Sequence, residues 1–406
     1  AIIAYNEGRA DLHAIVKCMV DDLDEQGNEV RVLKETTIGR ILFNQVVPKE
    51  VGYINEILTK RSLRDIIAVV MKKAGADKVA AFLDDIKNMG YRMAFRGGLS
   101  FNLDAVIIPE EKEKLVQEGY VSGWDDPRMP PLCGLRRRGF TPASIRNFCD
   151  RIGVAKSASV VEYSFLEHCL REDLNEKAER TMGVLHPVKL VITNYPEGKS
   201  EVFTVENNPT DPAQGTHEIT FSRHLWIEAE DFMEVPVPKY KRLTPNGPEC
   251  RLKGAYLVQC TGCVKDADGN VTEVLCTYDP ESSGGDPADG RKVKGATIHW
   301  VDAETCVDAE VRLYDNLFSD EQPDGPDKDF LDCLNPESLT VLTGCKVEPE
   351  MRKVAEAFDK QADRTGVNAP TFQFMRVGYF CLDNRDSSAE HMVFNRSVSL
   401  KDSFKK

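Results

Sequence analysis

Three consecutive arginines, Arg136, Arg137 and Arg138, form a dense cationic group in this 406-residue sequence. They follow a Trp-Asp-Asp-Pro turn and precede Gly139 and a Thr-Pro pair, all within residues 123–142. Planar guanidinium groups donate paired hydrogen bonds to phosphate oxygens. The cluster therefore predicts contacts with a nucleic-acid backbone, and a solvated helix face is the alternative.

Lys292 and Lys294 form a second cationic group, with Val293 between them. Alternate residues of a strand point to the same face, so this spacing predicts two cations on one strand face that could hold phosphate. The formal net charge of the chain is −14. A nucleic acid would therefore have to be bound by local basic patches such as these two.

Other patterns with known chemistry are weak. The seven histidines show no HxxxH or HxH spacing, and no GxGxxG, GxxxxGK[ST] or GxSxG motif occurs. Of twelve cysteines, only Cys260 and Cys263 have the spacing of metal ligands, and a single CxxC favours reduced, packed thiols over zinc. The carboxylate pair Asp125 and Asp126 is explained by a turn before proline. We therefore predict no catalytic residue and no metal site in this chain.

Helical periodicity marks the first part of the chain. Gly75 and Gly90 are predicted to end two helices that pack as an αα-hairpin, with Asp77 as the N-cap of the second. A β-hairpin is predicted around the turn at 24–28, and a further strand over 39–47. The apolar positions of the two helices are Leu63, Ile66, Ile67, Val70 and Met71, then Val79, Phe82, Leu83 and Ile86.

The chain changes character at Pro187, where short β-branched runs separated by Gly, Pro, Asn and Asp begin. Such punctuation predicts a β-barrel or a pair of barrels. Before it, Thr141 and Pro142 predict the start of a helix that Gly153 ends. The sequence thus predicts an α+β multidomain fold, since 406 residues are typical of two or three domains. The predicted strands are 188–193, 201–205, 217–222, 255–260, 271–278, 296–301, 311–314, 371–374, 378–382 and 392–398.

No apolar run approaches the roughly 20 residues needed to span a bilayer, and no secretory pattern opens the chain. Both observations favour a cytoplasmic protein. The first residue is Ala1, not methionine, which predicts a truncated N-terminus.

Residues 1–118 resemble the β′ chain of bacterial RNA polymerase. In that family the segment lies downstream of the loop that holds the catalytic magnesium, and neither that loop nor a bridge helix or trigger loop is present in this sequence. The resemblance therefore implies a mixed α/β scaffold without active-site residues. The matching pieces are ETTIGRILFNQVVP (35–48), LTKRSLRDIIAVVMKKAG (58–75) and FLDDIKNMGYRMAFRGGLSFNLDAVIIPEEKEKL (82–115).

From about residue 119 onward the chain resembles the class I glutaminyl-tRNA synthetases. The resemblance implies a helical segment over 119–184, which follows the catalytic core in that family, and a two-barrel anticodon-binding region over 185–406. The family's HIGH-type signature and Lys-Met-Ser-Lys-Ser-type loop are not in the sequence, so we expect no cofactor here, although such synthetases use ATP and Mg. Matching pieces include VSGWDDPRMPPLCGLRRRGFTPASIRNFCDRIGVAKS, KRLTPNGPECRLKGAY, DPADGRKVKGATIHWV, AEVRLYDNLF and FQFMRVGYFCLD.

The same resemblance implies roles for individual residues. Arg251 and Gln373 would contact the middle base of the anticodon, and Arg312 a neighbouring base. Arg376, Lys292 and Lys294 would also contact the anticodon. Unstacked RNA bases offer free edges to Arg and Gln, while cations hold the backbone. The arginines at 136, 137 and 138 would contact the tRNA backbone along the inside of the L.

The main hypothesis is thus recognition of tRNA(Gln) by a monomeric chain that does not catalyse ligation alone. Activity with a separately supplied catalytic half, a polymerase scaffold role, and the anticodon-binding part of a glutamyl-tRNA synthetase stay open as alternatives. A join of two unrelated reading frames is favoured over an evolved fusion.

Overall fold

The computed structural model describes residues 1–98, 110–153, 160–323, 325 and 327–402. The chain divides into two compact units, Ala1–Ile107 and Ile108–Lys406, and each is described by itself. No helix in the described ranges is both long and apolar enough to cross a membrane.

The first unit begins with a short helix and a β-hairpin. Strands β1 and β2 pair antiparallel, with Val20 opposite Val32. The turn between them is held by Asp24, whose carboxylate accepts the backbone N–H groups of Gln26 at 2.9 Å and Asn28 at 2.8 Å. The predicted hairpin is confirmed. The elements of this unit are α1 Ile2–Asn6, β1 Ile15–Leu23, β2 Glu29–Thr37, α2 Ile38–Asn44, α3 Lys60–Ala74 and α4 Ala76–Gly97.

Helices α3 and α4 form the predicted αα-hairpin. Ile66 and Val70 of α3 meet Val79 and Phe82 of α4 in a buried apolar cluster. The predicted C-terminus at Gly90 is wrong, because a glycine inside a helix costs only about 1 kcal/mol relative to alanine and the flanking residues outweigh it. The helix ends instead at Gly98, the C-cap, whose φ of 60° is left-handed.

Two other local predictions in this unit are wrong. Gly75 is the N-cap of α4, so Asp77 lies in the first turn and does not cap it. Part of the strand predicted over 39–47 is helix α2. This helix starts where the Thr37 side chain accepts the backbone N–H of Arg40 at 3.3 Å, a capping bond that favours a helix over a strand.

The second unit begins with four helices. They are α5 Glu110–Gln117, α6 Leu132–Arg137, α7 Pro142–Ile152 and α8 Tyr163–Lys177. As predicted, Thr141 caps α7, accepting the N–H of Ser144 at 3.1 Å, and Pro142 occupies its first turn. Leu170 and Leu174 of α8 share a buried cluster with Tyr379 and Val398 from the strands that follow. The helical segment is therefore packed on a sheet.

The rest of the second unit is built on two seven-stranded sheets and on a separate two-stranded sheet of β6 and β7. The first has the order β12-β9-β10-β11-β5-β8-β13 and the second the order β3-β16-β17-β18-β14-β15-β4. The α+β multidomain fold is confirmed, and the two sheets correspond to the two predicted barrels. The strands are β3 Glu179–Thr181, β4 Gly183–Val184, β5 Pro187–Ile192, β6 Glu201–Glu206, β7 Thr216–Phe221, β8 His224–Glu228, β9 Cys250–Leu252, β10 Leu257–Lys265, β11 Val271–Tyr278, β12 Thr297–Ile298, β13 Val301–Asp302, β14 Val307–Tyr314, β15 Leu339–Val347, β16 Thr371–Phe374, β17 Gly378–Leu382 and β18 Met392–Ser399, with helix α9 Glu350–Asp359 between β15 and β16.

The chain contributes to the second sheet before it builds the first. Strands β3 and β4 join the second sheet, β5 opens the first, and the later strands return. Two glutamates, Glu348 buried and Glu228 half-buried, hold this crossing. Glu348 accepts the N–H of Met182 at 2.9 Å, and Glu228 accepts those of Leu185 at 2.8 Å and His186 at 2.9 Å. The first sheet is therefore inserted between β4 and β14 of the second sheet, which is formed by two separate stretches of chain.

His217 of β7 adds a charge to this crossing. Its Nε2 lies 2.9 Å from a carboxylate oxygen of Glu348, and its Nδ1 lies 2.6 Å from the side-chain oxygen of Asn207. The Asn207 amide is oriented by donating to the carbonyl of Gln214 at 2.9 Å. Both ring nitrogens thus face acceptors and must donate, which requires the protonated ring. Burial opposes that charge, but the hydrogen bond and charge of Glu348 outweigh it and raise the pKa of His217.

The histidine gives a pH-dependent stability. Because the folded-state pKa of His217 is raised, its pairing with Glu348 stabilises fully below the ordinary value of 6.5 and is lost as pH rises through the raised pKa. The Tm difference between wild type and His217→Gln should therefore be largest below pH 6.5 and shrink in alkaline solution. A difference that grows with pH would contradict this assignment.

A glycine after the arginine triplet is required by the packing of α6 on the second sheet. Gly139 has φ of +94°, and a Cβ there would lie 2.3 Å from Ser397 Oγ and 2.8 Å from Cys381 Sγ. Gly139→Ala should lower the free energy of unfolding of the second unit by ~2 kcal/mol or more. Trp124, Trp226 and Trp300 are all in this unit, so tryptophan fluorescence during urea unfolding reports on it.

Gly269→Ala is the matched control for that substitution. Gly269 also has a positive φ, +87°, but a Cβ there meets nothing within 4 Å. It should cost only about 1 kcal/mol, from backbone strain. Equal costs at the two positions would contradict the packing argument.

Candidate nucleic-acid interface

One edge of the first sheet gathers three of the predicted cations. Arg251 lies on β9 beside β12, and its backbone N–H donates to the carbonyl of Ala296 at 3.0 Å. The segment that carries Lys292 and Lys294 runs into β12 along this edge, where Gly295 donates to the carbonyl of Glu249 at 3.1 Å. The chain path therefore brings both lysines alongside the strand of Arg251.

The close approach of the two backbones depends on Gly295. A Cβ at this position would lie 2.1 Å from the carbonyl oxygen of Glu249, a distance that no side chain can accommodate. Arg291 adds side-chain bonds from the same segment, donating to Glu249 at 2.9 Å, Asp279 at 2.6 Å and Asp289 at 3.0 Å. The segment is thus fixed on both sides of the two lysines.

The guanidinium of Arg251 is oriented by two hydrogen bonds, and part of the side chain stays exposed. Its Nε donates to the carbonyl of Gly285 at 2.7 Å, and its Nη2 to Asp286 at 3.1 Å. The side chain is 33% exposed and that of Asp286 is 86% exposed. Ion pairs with such an exposed partner contribute little, so Asp286 can give way to a phosphate or a base.

Lys292 and Lys294 are both exposed, and neither forms an ion pair with another residue in the part of the chain that the structure describes. The prediction that they share a strand face is wrong. Residues 291–294 have no regular secondary structure, and β12 begins only at Thr297.

The second sheet carries Arg312 and Gln373. Arg312 of β14 donates from Nε to Glu310 at 2.7 Å and from Nη1 to Asp386. Its Nη2 has no hydrogen-bond partner among the described residues. The Gln373 side chain, half-buried on β16, likewise forms no hydrogen bond within those ranges. Both residues thus retain donors for a ligand.

Arg376 follows Gln373 in the turn between β16 and β17. Its guanidinium forms a bidentate pair with Asp231, at 2.8 Å and 2.7 Å, and lies 3.3 Å from Nδ1 of His299. The side chain is 29% exposed. The structure therefore places both terminal nitrogens of Arg376 in a contact with the buried Asp231.

The three arginines at 136, 137 and 138 also differ in burial and in their contacts within the protein. Arg137 and Arg138 are buried. Arg138 donates to Glu167 at 3.1 Å and Tyr163 at 3.3 Å. Arg136 is half-buried and forms no ion pair with any described residue. The burial of Arg137 and Arg138 does not support the predicted contact with a tRNA backbone, because their charges are already neutralised inside the protein.

Arg137 is surrounded by carboxylates. It donates from Nε and Nη2 to Asp383 at 2.9 and 3.2 Å, and from Nη2 to Asp386 at 2.9 Å, while Asp125 lies 3.5 Å from Nη1. Asp383 is fully buried. Burial would raise the pKa of Asp383, but the hydrogen bond and charge of Arg137 outweigh it, so that pKa is lowered. Sequence reasoning missed Asp383, since 246 residues separate it from Arg137 and no local pattern links them.

No three His, Cys, Asp or Glu side chains come together as a possible metal site within the described ranges. Cys260 and Cys263 both lie on β10, where Cys260 pairs in register with Cys276 of β11. Burial raises the pKa of the Cys276 thiol.

Four family models match parts of the chain. Residues 178–279 and 297–383 each match a model of the tRNA synthetases class I (E and Q), anti-codon binding domain. Residues 99–176 match the catalytic domain of the same class. Residues 1–106 match RNA polymerase Rpb1, domain 3.

Curated relatives resemble the second part of the chain. A glutamine–tRNA ligase of Clostridium kluyveri is 52% identical over 306 residues, which is 75% of this chain and 52% of the relative. The ligase of Vibrio vulnificus has the same identity and coverage, and that of Clostridium perfringens is 53% identical over 305 residues, again 75% of this chain and 52% of the relative. The chain spans about half the length of the curated relatives it matches.

The pair of Arg137 and Asp383 should be costly to break. Asp383→Asn removes a buried charge and leaves Arg137 under-compensated, so it should lower the free energy of unfolding of the second unit by ~3 kcal/mol. Asp386→Asn is the control, because Asp386 contacts the same arginine but its side chain is 44% exposed, and should cost under about 1 kcal/mol. Urea unfolding of both variants tests this, and a larger loss at Asp386 would contradict it.

Proposed function

We propose that this chain, which over residues 99–383 belongs to the class I tRNA synthetases of the E and Q type, binds the anticodon arm of a tRNA. The observation that carries the proposal is the edge of the first sheet. Arg251 lies there on β9, next to Lys292 and Lys294 on the segment that Arg291 fixes. The exposed Asp286 is the only charge that Arg251 pairs with in the described ranges. Such a group of cations on a fixed segment suits a phosphate backbone.

Base recognition falls to the second sheet in this proposal. Gln373 has an amide that can pair with the edge of an unstacked base, and Arg312 presents Nη2 in an orientation that Glu310 and Asp386 fix. Arg251, held by the carbonyl of Gly285, can reach a base or a phosphate from the first sheet. Arg136 is the member of the triplet whose half-buried side chain leaves it able to touch the tRNA backbone.

We propose tRNA(Gln) as the partner. The relatives that are 52% or 53% identical to this chain over 305 or 306 residues carry the name glutamine–tRNA ligase, which favours tRNA(Gln) over the glutamyl alternative. We further propose that the chain acts as a monomer, and in the cytoplasm, where charged tRNA is used.

Ligation is a separate question, because the match to the catalytic domain is limited to residues 99–176. We propose that this 406-residue chain makes no aminoacyl-adenylate by itself, and that ATP and Mg would bind to a separately supplied catalytic half. ATP–pyrophosphate exchange on the purified chain with glutamine and tRNA should therefore show no turnover. Turnover would refute this part of the proposal, and charging upon mixing with such a half would support it.

The first unit has a second candidate function, since its match to RNA polymerase Rpb1, domain 3 covers residues 1–106. A scaffold role would require it to join polymerase subunits. A pull-down with the full chain that lacks those subunits would count against that role. The tRNA-binding proposal does not depend on the outcome.

Loss of the two free lysines should weaken tRNA binding. Lys292→Gln with Lys294→Gln should reduce the affinity for tRNA(Gln) about tenfold at moderate salt, and lower the slope of log affinity against log salt by about one to two, because each lysine releases counterions from phosphate. Filter binding over a salt series measures both quantities.

Lys353→Gln with Lys360→Gln is the matched control. These exposed lysines lie at helix α9 of the same unit, so the variant removes the same net charge elsewhere. Equal weakening by both pairs would mean that only total charge matters. Equal affinity of the wild type for tRNA(Gln) and other tRNAs would refute the proposed function.

A further inference from the structure

Asp231 is a fully buried carboxylate at the junction of the two sheets. It lies in a short 3-10 turn, Ala229–Asp231, directly after β8 of the first sheet. Its two oxygens accept the two terminal nitrogens of Arg376, at 2.7 Å and 2.8 Å. Arg376 belongs to the second sheet, in the turn between β16 and β17. A planar, bidentate ion pair therefore joins the two sheets.

The contact fixes direction as well as distance. A bidentate pair holds the guanidinium plane in line with the carboxylate, and Nδ1 of His299, from the segment after β12, lies 3.3 Å from Nη1. The other ring nitrogen of His299 lies 3.4 Å from Glu228. Since Arg376 can only donate, Nδ1 of His299 accepts. Arg376 is thus held by two residues of the first sheet.

The backbone of this turn has an unfavourable conformation that requires stabilising contacts. Arg376 has φ of +68°, a left-handed conformation that non-glycine residues rarely adopt. The neighbouring bonds tie the turn to the start of the second sheet, since Met375 donates to Thr181 at 3.0 Å and Val377 to Phe374 at 3.0 Å. Met375 itself packs against the apolar core of the first sheet. The turn is therefore seated between both sheets.

The turn directly follows the strand that carries Gln373. Gln373 is three residues before Arg376 on β16, whereas Arg251 is on β9 of the first sheet. These two side chains are the ones expected to meet one base, yet they belong to different sheets. Their separation is set by how the two sheets are joined, and the pair of Asp231 and Arg376 is a direct side-chain bond across that joint.

We propose that Asp231 is a positioning residue for anticodon reading, which rests on the proposed function. It touches no base. By holding Arg376 it fixes the turn that follows β16, and thereby the place of Gln373 relative to Arg251. Arg376 then connects the two sheets. Its side chain contacts no base, and it affects anticodon recognition only by fixing the position of Gln373 relative to Arg251.

Arg242 offers a close control. Its Nη1 lies 3.2 Å from the same carboxylate. Arg242, however, lies in the segment between Phe232 and Leu243, two residues that form an isolated β-bridge with each other. Arg242→Gln thus removes one cation from Asp231 without cutting the bond between the sheets. Asp231→Asn and Arg376→Gln both cut it.

The test is the preference of the full chain for tRNA(Gln) over the same tRNA with its middle anticodon base changed. Asp231→Asn and Arg376→Gln should each reduce this preference about tenfold, and the double variant should reduce it no further than either one, since both act on one bond. The slope of affinity against salt should not change, because no phosphate contact is lost. Arg242→Gln should keep the wild-type preference.

Three results would overturn the inference. Asp231→Asn could keep the preference while Arg376→Gln loses it, which would make Arg376 a direct base contact. Both variants could weaken binding of the two tRNAs by the same factor, which would mean that the pair of Asp231 and Arg376 contributes only to general stability. A wild type without any preference would remove the proposed function itself. If Asp231→Asn does not fold, Arg376→Lys replaces it, because lysine keeps the charge but not the bidentate bond, and the same loss of preference is expected.

Discussion

The buried pair between Arg137 and Asp383 is the interaction on which the second unit depends. A charge removed from water is tolerated only with a partner and satisfied hydrogen bonds. Here the aspartate also accepts the backbone N–H groups of Arg385 at 2.9 Å and Asp386 at 2.8 Å, and the Asn395 amide at 2.7 Å. One carboxylate thus joins the helical segment, the loop after β17 and strand β18, and the same loop presents Asp386 to Arg312.

The basic residues of this chain differ in what they contact, and this difference is not a matter of arginine against lysine. Arg137 and Arg138 face carboxylates inside the protein, while Lys292 and Lys294 face solvent. The first kind fixes the sheets and helices, and the second is available to a polyanion. Because the net charge of the chain is −14, a polyanion would have to meet local cations that the protein's own carboxylates leave unpaired, such as Lys292 and Lys294.

Local signals in the sequence were sufficient for much of the fold. The hairpin around Asp24, the helix start at Thr141 and most strands after Pro187 follow from turn and cap chemistry that acts within a few residues. Helix α2 was missed because its short apolar run fits a strand equally well. Strand β8, strand β15 and helix α9 were not predicted at all.

Partners that are far apart in the chain could not be predicted. The insertion of the first sheet between strands of the second, and the pairing of the buried Arg137 with an aspartate 246 residues away, leave no periodic pattern in the sequence. For the same reason the triplet at 136, 137 and 138 looked like three equivalent cations, although the fold separates them. Resemblance singled out Arg251 and Gln373, whose role as anticodon contacts stays a prediction, but it gave no sign of Asp231.

We propose that free cations at the edge of the first sheet and donors on the second together bind one part of a tRNA. Hydroxyl-radical footprinting of tRNA(Gln) with the purified chain tests this proposal. We expect strong protection of the backbone of the anticodon arm. Protection confined to the acceptor end, or none at all, would contradict it.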